Sequence, residues 1–249
     1  MMDNNLSTLN SQLSTLYFLG IGGIGMSAIA RYLKNNRHNI YGYDRTRTQL
    51  TAELEKEGMN ITYEEEDVNH LPEVIDLAIY TPAIPAENKI LKEIIKRGIQ
   101  LNKRAFALAE IVKEKKVIAI AGTHGKTTTS TLLSHLFTAS GEGCSAFLGG
   151  ISKNYDSNLL IHENNVIVAE ADEFDRSFLQ LYPEIAVITS MDADHLDIYG
   201  DEASIQAAFK EFASQVSGTV IVKKGLGISE KDTDARILTY SYGNSEADF

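Results

Sequence analysis

Residues 117–129 read Val117-Ile118-Ala119-Ile120-Ala121-Gly122-Thr123-His124-Gly125-Lys126-Thr127-Thr128-Thr129. An unbroken apolar run of this length reads as a strand buried on both faces. Glycines, a lysine and hydroxyl residues follow at once, and a helical pattern then covers 130–139. Strand, glycine loop and helix in that order form a phosphate cradle. Loop amides face the phosphates, Lys126 reaches the β/γ oxygens, and the Thr127 hydroxyl suits Mg²⁺. The usual pattern has a further glycine five residues before Gly125, where Ile120 stands, so this loop is a shortened form, G-x-x-G-K-T. The plainer reading, a glycine turn with an exposed lysine, does not account for the strand–loop–helix order. ATP with Mg²⁺ is therefore the expected ligand of Gly122, Thr123, His124, Gly125, Lys126, Thr127 and Thr128.

Upstream, short β-rich runs alternate with helical stretches, which predicts parallel α/β architecture. Strands are expected at 16–19, 40–43, 61–63, 77–80 and 99–101, with helices at 26–35, 49–57, 88–97 and 105–112. Between the first strand and the first helix stands Gly20-Ile21-Gly22-Gly23-Ile24-Gly25, a full GxGxxG, and Asp44 closes the second strand. Such glycines admit a diphosphate to the helix N-terminus, while the acid suits a ribose hydroxyl. The motif alone fits a dinucleotide or a UDP-sugar equally well, and a tight packing turn would also use glycines. The charged connector 113–116 marks a domain boundary, with a Rossmann-like domain over 1–112 and a P-loop α/β domain over 117–249.

Downstream, strands are expected at 166–169, 186–189, 219–222 and 236–240, with a long helix over 202–215. Ligands sit at the carboxyl ends of parallel strands. Glu170, closing the strand at 166–169, is thus placed to face the phosphate loop and hold a hard cation. Asp172, Glu173 and Asp175 read equally well as a solvated acidic loop or as part of the site. His195 stands among Asp192, Asp194 and Asp197 after the next strand. Neighbouring carboxylates favour the imidazolium, so a metal there has to displace a proton.

The chain has 249 residues, room for two ordinary domains, and 43% hydrophobic residues supply their cores. A net charge of −11 opposes broad contact with nucleic acid or an anionic membrane, but not a local phosphate site. Cys144 is the single cysteine, which excludes an internal disulfide and suits a reducing cytoplasm. No apolar run approaches the roughly 20 residues that span a bilayer. Residues 1–15 lack a secretion-signal pattern and read as a loose leader.

Together these motifs resemble the Mur ligases. The resemblance rests on FLGIGGIGMSAIA (18–30), YTPAIP (80–85), AGTHGKTTT (121–129), VAEADEFDRSFL (168–179) and DADHLDIYG (192–200). The histidine in the phosphate loop points to the branch that adds L-alanine to UDP-N-acetylmuramate, with a tripeptide-recycling branch and an NAD-dependent oxidoreductase as alternatives. The resemblance implies a cytoplasmic ATP-dependent ligase of peptidoglycan precursor synthesis, acting through an acyl phosphate. It implies ATP and Mg²⁺ as cofactors, and UDP-N-acetylmuramate and L-alanine as substrates. By position, Lys126 and His124 are catalytic, and Thr127, Glu170 and His195 hold metal. Gly20, Gly22, Gly23, Ile24, Gly25, Met26, Asp44, Thr81, Pro82 and Ala83 face the sugar nucleotide. Ser190 replaces a common family asparagine and takes no role on this basis. Lys210 stands near the place of a carbamylated lysine that several Mur ligases use, although this branch generally lacks it. A third, C-terminal domain of the family would lie beyond Phe249. The resemblance therefore predicts that the 249-residue chain makes no amide alone. Phosphate release that depends on both UDP-N-acetylmuramate and L-alanine would contradict this.

Overall fold

The computed structural model describes residues 13–192, 199–243 and 246–249. The chain divides into two compact units, residues 1–111 and 112–249. In the first, β1 (Thr15–Leu19), α1 (Ile24–Asn35), β2 (Asn39–Tyr43), α2 (Gln49–Lys56), β3 (Asn60–Thr62), β4 (Leu77–Tyr80), α3 (Lys89–Lys96), β5 (Leu101–Lys103) and α4 (Arg104–Val112) follow one another. The five strands pair in parallel in the order β3-β2-β1-β4-β5, the half-Rossmann arrangement. Tyr17 and Leu19 of β1 are fully buried in a cluster with Tyr43, Ala78, Ile90 and Ile94, while Leu16 and Phe18, on the opposite face by alternation, are fully buried too. Burial on both faces is what a parallel sheet requires.

Strand β5 starts two residues later than the expected 99–101. Gly98, at φ +68°, ends α3 in a Schellman turn in which the Ile99 amide donates to Ile94 O at 3.2 Å. Ile99 thus serves the helix stop rather than the sheet.

The second unit runs β6 (Lys116–Ala121), α5 (Lys126–Ala139), β7 (Ser145–Ser152), β8 (Ser157–Leu160), β9 (Val166–Ala171), β10 (Ile185–Ile188), α6 (Glu202–Ser214), β11 (Thr219–Lys223) and β12 (Arg236–Tyr240). Its sheet order is β12-β11-β10-β6-β9-β7-β8, parallel except for the β7–β8 hairpin. That hairpin was not foreseen, because Gly149 and Gly150 break the apolar pattern of β7. Helix α5 begins at Lys126, four residues before the expected start, despite the three β-branched threonines of its first turn. Its inner face meets Ile118 and Ile120 of β6 and Val168 of β9 through Leu133 and Phe137.

One packing contact positions a site directly. A Cβ on Gly42 of β2 would meet Ile21 Cδ1 at 2.8 Å and Ile21 Cβ at 3.0 Å. Ile21, inside the glycine loop, is fully buried, so the loop is anchored through the bare backbone of β2. Gly42→Val should therefore lower stability by about 2 kcal/mol, as overpacking does. A urea titration reads the loss, and a wild-type midpoint would show that the loop is not anchored there.

Candidate functional site

In the first unit, the carboxyl ends of neighbouring strands bring Gly20–Gly25, Asp44 and Thr81–Ala83 together. The Gly20 and Ile21 amides both donate to Tyr43 O (2.8 and 3.1 Å), and Gly23 N donates to Gly20 O (3.1 Å). Asp44 Oδ2 accepts from Gly22 N at 2.8 Å, and its Oδ1 accepts from Thr46 N at 3.1 Å. Asp44 therefore holds the loop in shape. The loop's early amides are thus engaged internally. The Gly25 and Met26 amides have no carbonyl within the helix to bond. No side chain caps this helix and no acid stands in its first turn. Thr81 N donates to Leu19 O at 3.3 Å, and the turn through Pro82 and Ala83 closes with Ile84 N donating to Thr81 O at 3.1 Å.

Arg104 belongs to the same place, although the sequence reading passed over it. Its Nη1 lies 2.7 Å from where a Cβ on Gly25 would stand, over the start of α1. Its signal was a cation directly after a strand. It was lost because the expected strand ended at residue 101, two positions too early to put Arg104 directly after it.

In the second unit, the phosphate loop leaves β6 between β9 and β10. Gly122 has φ +133°, and a Cβ there would lie 2.1 Å from Thr189 Oγ1, so both conformation and space demand glycine. Helix α5 also begins without a side-chain cap or a first-turn acid. By contrast, Thr48, Asn88 and Asp201 cap α2, α3 and α6 with their side chains. The two helices that follow glycine loops thus present bare, partly positive N-termini. Residues after β10 hold the loop from one side: Ser190 Oγ accepts from His124 N at 2.8 Å and lies 2.9 Å from Thr123 Oγ1. Asp192 N donates to Thr123 Oγ1 at 3.2 Å. Ser190 has a structural role that its departure from the family pattern had hidden. The His124 side chain is 70% exposed, with Nε2 3.9 Å from Asp192 Oδ2, and faces solvent where a substrate could reach it.

Glu170 and Thr127 meet as the sequence led one to expect. Thr127 Oγ1 lies 3.0 and 3.1 Å from the two Glu170 oxygens, and Gly149 N, on the unforeseen β7, donates to Oε2 at 2.7 Å. Burial pushes the Glu170 carboxyl above its ordinary value, against the hydroxyl and amide that pull it down. A desolvated carboxylate beside a hydroxyl is a hard oxygen pair that a divalent cation would relieve. Among the described residues, no cluster of three or more His, Cys, Asp or Glu stands ready as a metal cage. His195, the third expected ligand, lies outside the described residues. Lys210 makes an ion pair with Asp232 at 3.3 Å.

In the acidic run after β9, the solvated-loop reading fails at Glu173. The Glu173 side chain is 1% exposed, and its oxygens lie 3.0 and 2.7 Å from Lys126 Nζ, which also donates to Gly122 O at 2.7 Å. Tyr199 Oη donates to Glu173 O at 2.6 Å, and burial pushes that phenol up to about 12. Asp175 and Arg176 follow at φ +53° and +54°, a left-handed kink. Phe178 then packs on Phe209 and Phe212 of α6, with ring centroids 5.2 and 4.9 Å away.

Residues 15–116 match the Mur ligase family, catalytic domain, and residues 120–249 match the Mur ligase middle domain. The chain belongs to the Mur ligase family. Within it, the chain is 47% identical over 227 residues to the UDP-N-acetylmuramate–L-alanine ligase of Christiangramia forsetii, covering 88% of this chain and 50% of that one. The UDP-N-acetylmuramate–alanine ligase structure from Thermotoga maritima superposes with a TM-score of 0.82 at 27% identity, covering 92% of this chain and 53% of that one. A UDP-N-acetylmuramate:L-alanyl-γ-D-glutamyl-meso-diaminopimelate ligase from Neisseria meningitides shares the fold, with a TM-score of 0.84 at 20% identity and coverage of 95% and 83%. The chain spans about half the length of the curated relatives it matches. Among the described residues, no helix is long and apolar enough to cross a membrane.

Removing one member of a buried ion pair strands the other. Lys126→Ala should lower stability by about 3 kcal/mol, and adding Glu173→Gln should restore most of it. Urea titrations of the two single variants and of the double variant measure the coupling. Additive losses would mean that the pair is not formed.

Proposed function

We propose that this protein carries the sugar-nucleotide and ATP sites of a cytoplasmic ligase that joins L-alanine to UDP-N-acetylmuramate in peptidoglycan precursor synthesis. The observation that carries the reading is the phosphate loop on an uncapped helix, with Thr127 and Glu170 in contact beside it. The names of the relatives at 44–51% identity supply the substrates.

The assignment of roles follows the geometry. First-turn amides of α5, Thr127 and Thr128 among them, together with the loop from Gly122 to Gly125, receive the triphosphate, and Lys126 offers the β/γ oxygens an ammonium. Thr127 and Glu170 are the proposed ligands of Mg²⁺, with His195 added on the resemblance. The cation, when bound, neutralises phosphate charge during transfer. Positioning and charge neutralisation are the main requirements of phosphoryl transfer, and a preorganised loop held by Ser190 and Thr189 supplies the first. The muramate carboxylate attacks the γ-phosphorus, the β–γ bridging bond breaks and ADP leaves, giving an acyl phosphate. The amine of L-alanine then adds to the acyl carbon, loses a proton and expels phosphate. His124, exposed beside the loop lysine, is placed to orient the carboxylate. In the first unit, the first-turn amides of α1 and the Arg104 guanidinium suit the UDP diphosphate.

A dinucleotide enzyme would use the glycine loop and Asp44 but has no task for Lys126, Thr127 and Glu170. A thermal-shift panel separates the readings. ATP·Mg²⁺ and UDP-N-acetylmuramate should each raise the melting temperature, NADH should not, and Lys126→Ala should abolish the ATP response alone. Stabilisation by NADH without any response to ATP·Mg²⁺ would overturn the assignment.

A further inference from the structure

We propose that Glu173 is a positioning residue of the nucleotide site, a resident counter-anion that holds the Lys126 ammonium until a triphosphate takes it over. The inference rests on the reading of the loop as an ATP site and concerns how that site is kept ready. A lysine ammonium has three protons to donate. Here the three nearest acceptors are the two oxygens of Glu173, at 3.0 and 2.7 Å, and the Gly122 carbonyl, at 2.7 Å. The lysine can therefore reach a phosphate oxygen only by giving up a present partner.

Geometry decides which partner is exchanged. Gly122 O belongs to the loop itself, at a position where conformation and Thr189 leave little freedom. Glu173 is fixed as well: its carbonyl accepts from Tyr199 Oη at 2.6 Å and from Arg176 N at 3.0 Å, and Phe178 N donates to Asp172 O at 2.9 Å. The Glu173 backbone is held by this anchorage and its side chain is 1% exposed, so the carboxylate has little room to withdraw, whereas the lysine stem is flexible. Phosphate and carboxylate are both anions competing for one ammonium, so the ammonium swings from one to the other. Without the carboxylate, a nearly buried cation would stand uncompensated at the bare N-terminus of α5, where the helix dipole disfavours it. Glu173 thus stabilises the nucleotide-free loop and weakens nucleotide binding by the same contact.

Glu173→Gln keeps the shape and one acceptor oxygen but removes the charge. Its contact with the ammonium loses one acceptor oxygen and the attraction of opposite charges, a loss that corresponds to about tenfold in affinity. The variant should melt below wild type when free, yet bind ATP·Mg²⁺ about tenfold more tightly in calorimetry. A merely structural residue would lower stability without raising affinity. Equal or weaker binding by Glu173→Gln, with wild type binding and Lys126→Ala failing to bind, overturns this proposal alone. Wild type that binds no ATP·Mg²⁺ overturns the nucleotide reading beneath it. Should Glu173→Gln not fold, a crystal structure of wild type with the β,γ-imido analogue of ATP and Mg²⁺ decides. Lys126 separated from an unmoved Glu173 is expected, and an intact bidentate pair refutes the exchange.

Discussion

Parallel pairing of β6 with β9 on one side and β10 on the other sets where the polar groups of the nucleotide site stand. Ile120 lies opposite Glu170, and Ala121 opposite both Ala171 and Ile188. Three strands therefore end at one level, and the segments leaving them are the phosphate loop, the acidic run and the Thr189–Ser190 pair. Side chains alternate along β9, so Glu170 shares a face with Val168, which packs in the α5 cluster. A slip of one residue would turn Glu170 to the opposite face and take it from Thr127. The apolar strands thus fix the geometry that the charged residues use.

The two glycine loops solve related problems by different means. In the first unit, the loop is shaped by its own amides, by Tyr43 O and by Asp44, and the first turn of α1 is the proposed place of the ligand. In the second unit, the loop is shaped from outside, by hydroxyls of Thr189 and Ser190, and its lysine is held by Glu173. Both helices lack side-chain caps at the end that follows the glycine loop, while three helices elsewhere in the chain carry them. An uncapped N-terminus is a local cost in stability that an anion can offset. The placement of that cost is consistent with two phosphate-binding ends.

Much of the fold was legible because the strands are apolar runs and the helices have clear stops. Strands β4 and β12 lie within the bounds read from the sequence, and most other elements differ by one or two residues. The misses have physical causes. The β7–β8 hairpin was hidden because its glycines interrupt the β pattern, although one of them supplies an amide to Glu170. The start of α5 was placed late because three threonines argue against helix, and a glycine hinge with tertiary packing prevailed over that propensity. Strand β5 was shifted because Ile99 serves the Schellman turn of α3.

Residue types and order along the chain were enough to establish two α/β units, a phosphate loop centred on Lys126, and Glu170 at a neighbouring strand end, since each follows from local pattern. Local pattern could not say that Glu173 is buried under Lys126, that Ser190 bonds the loop, or that Arg104 lies over Gly25. Those contacts join residues 47, 66 and 79 positions apart. Only the packing of strands and helices brings such residues within hydrogen-bond reach. A carboxylate in a sequence looks the same whether it faces water or a lysine, and the fold alone decides which.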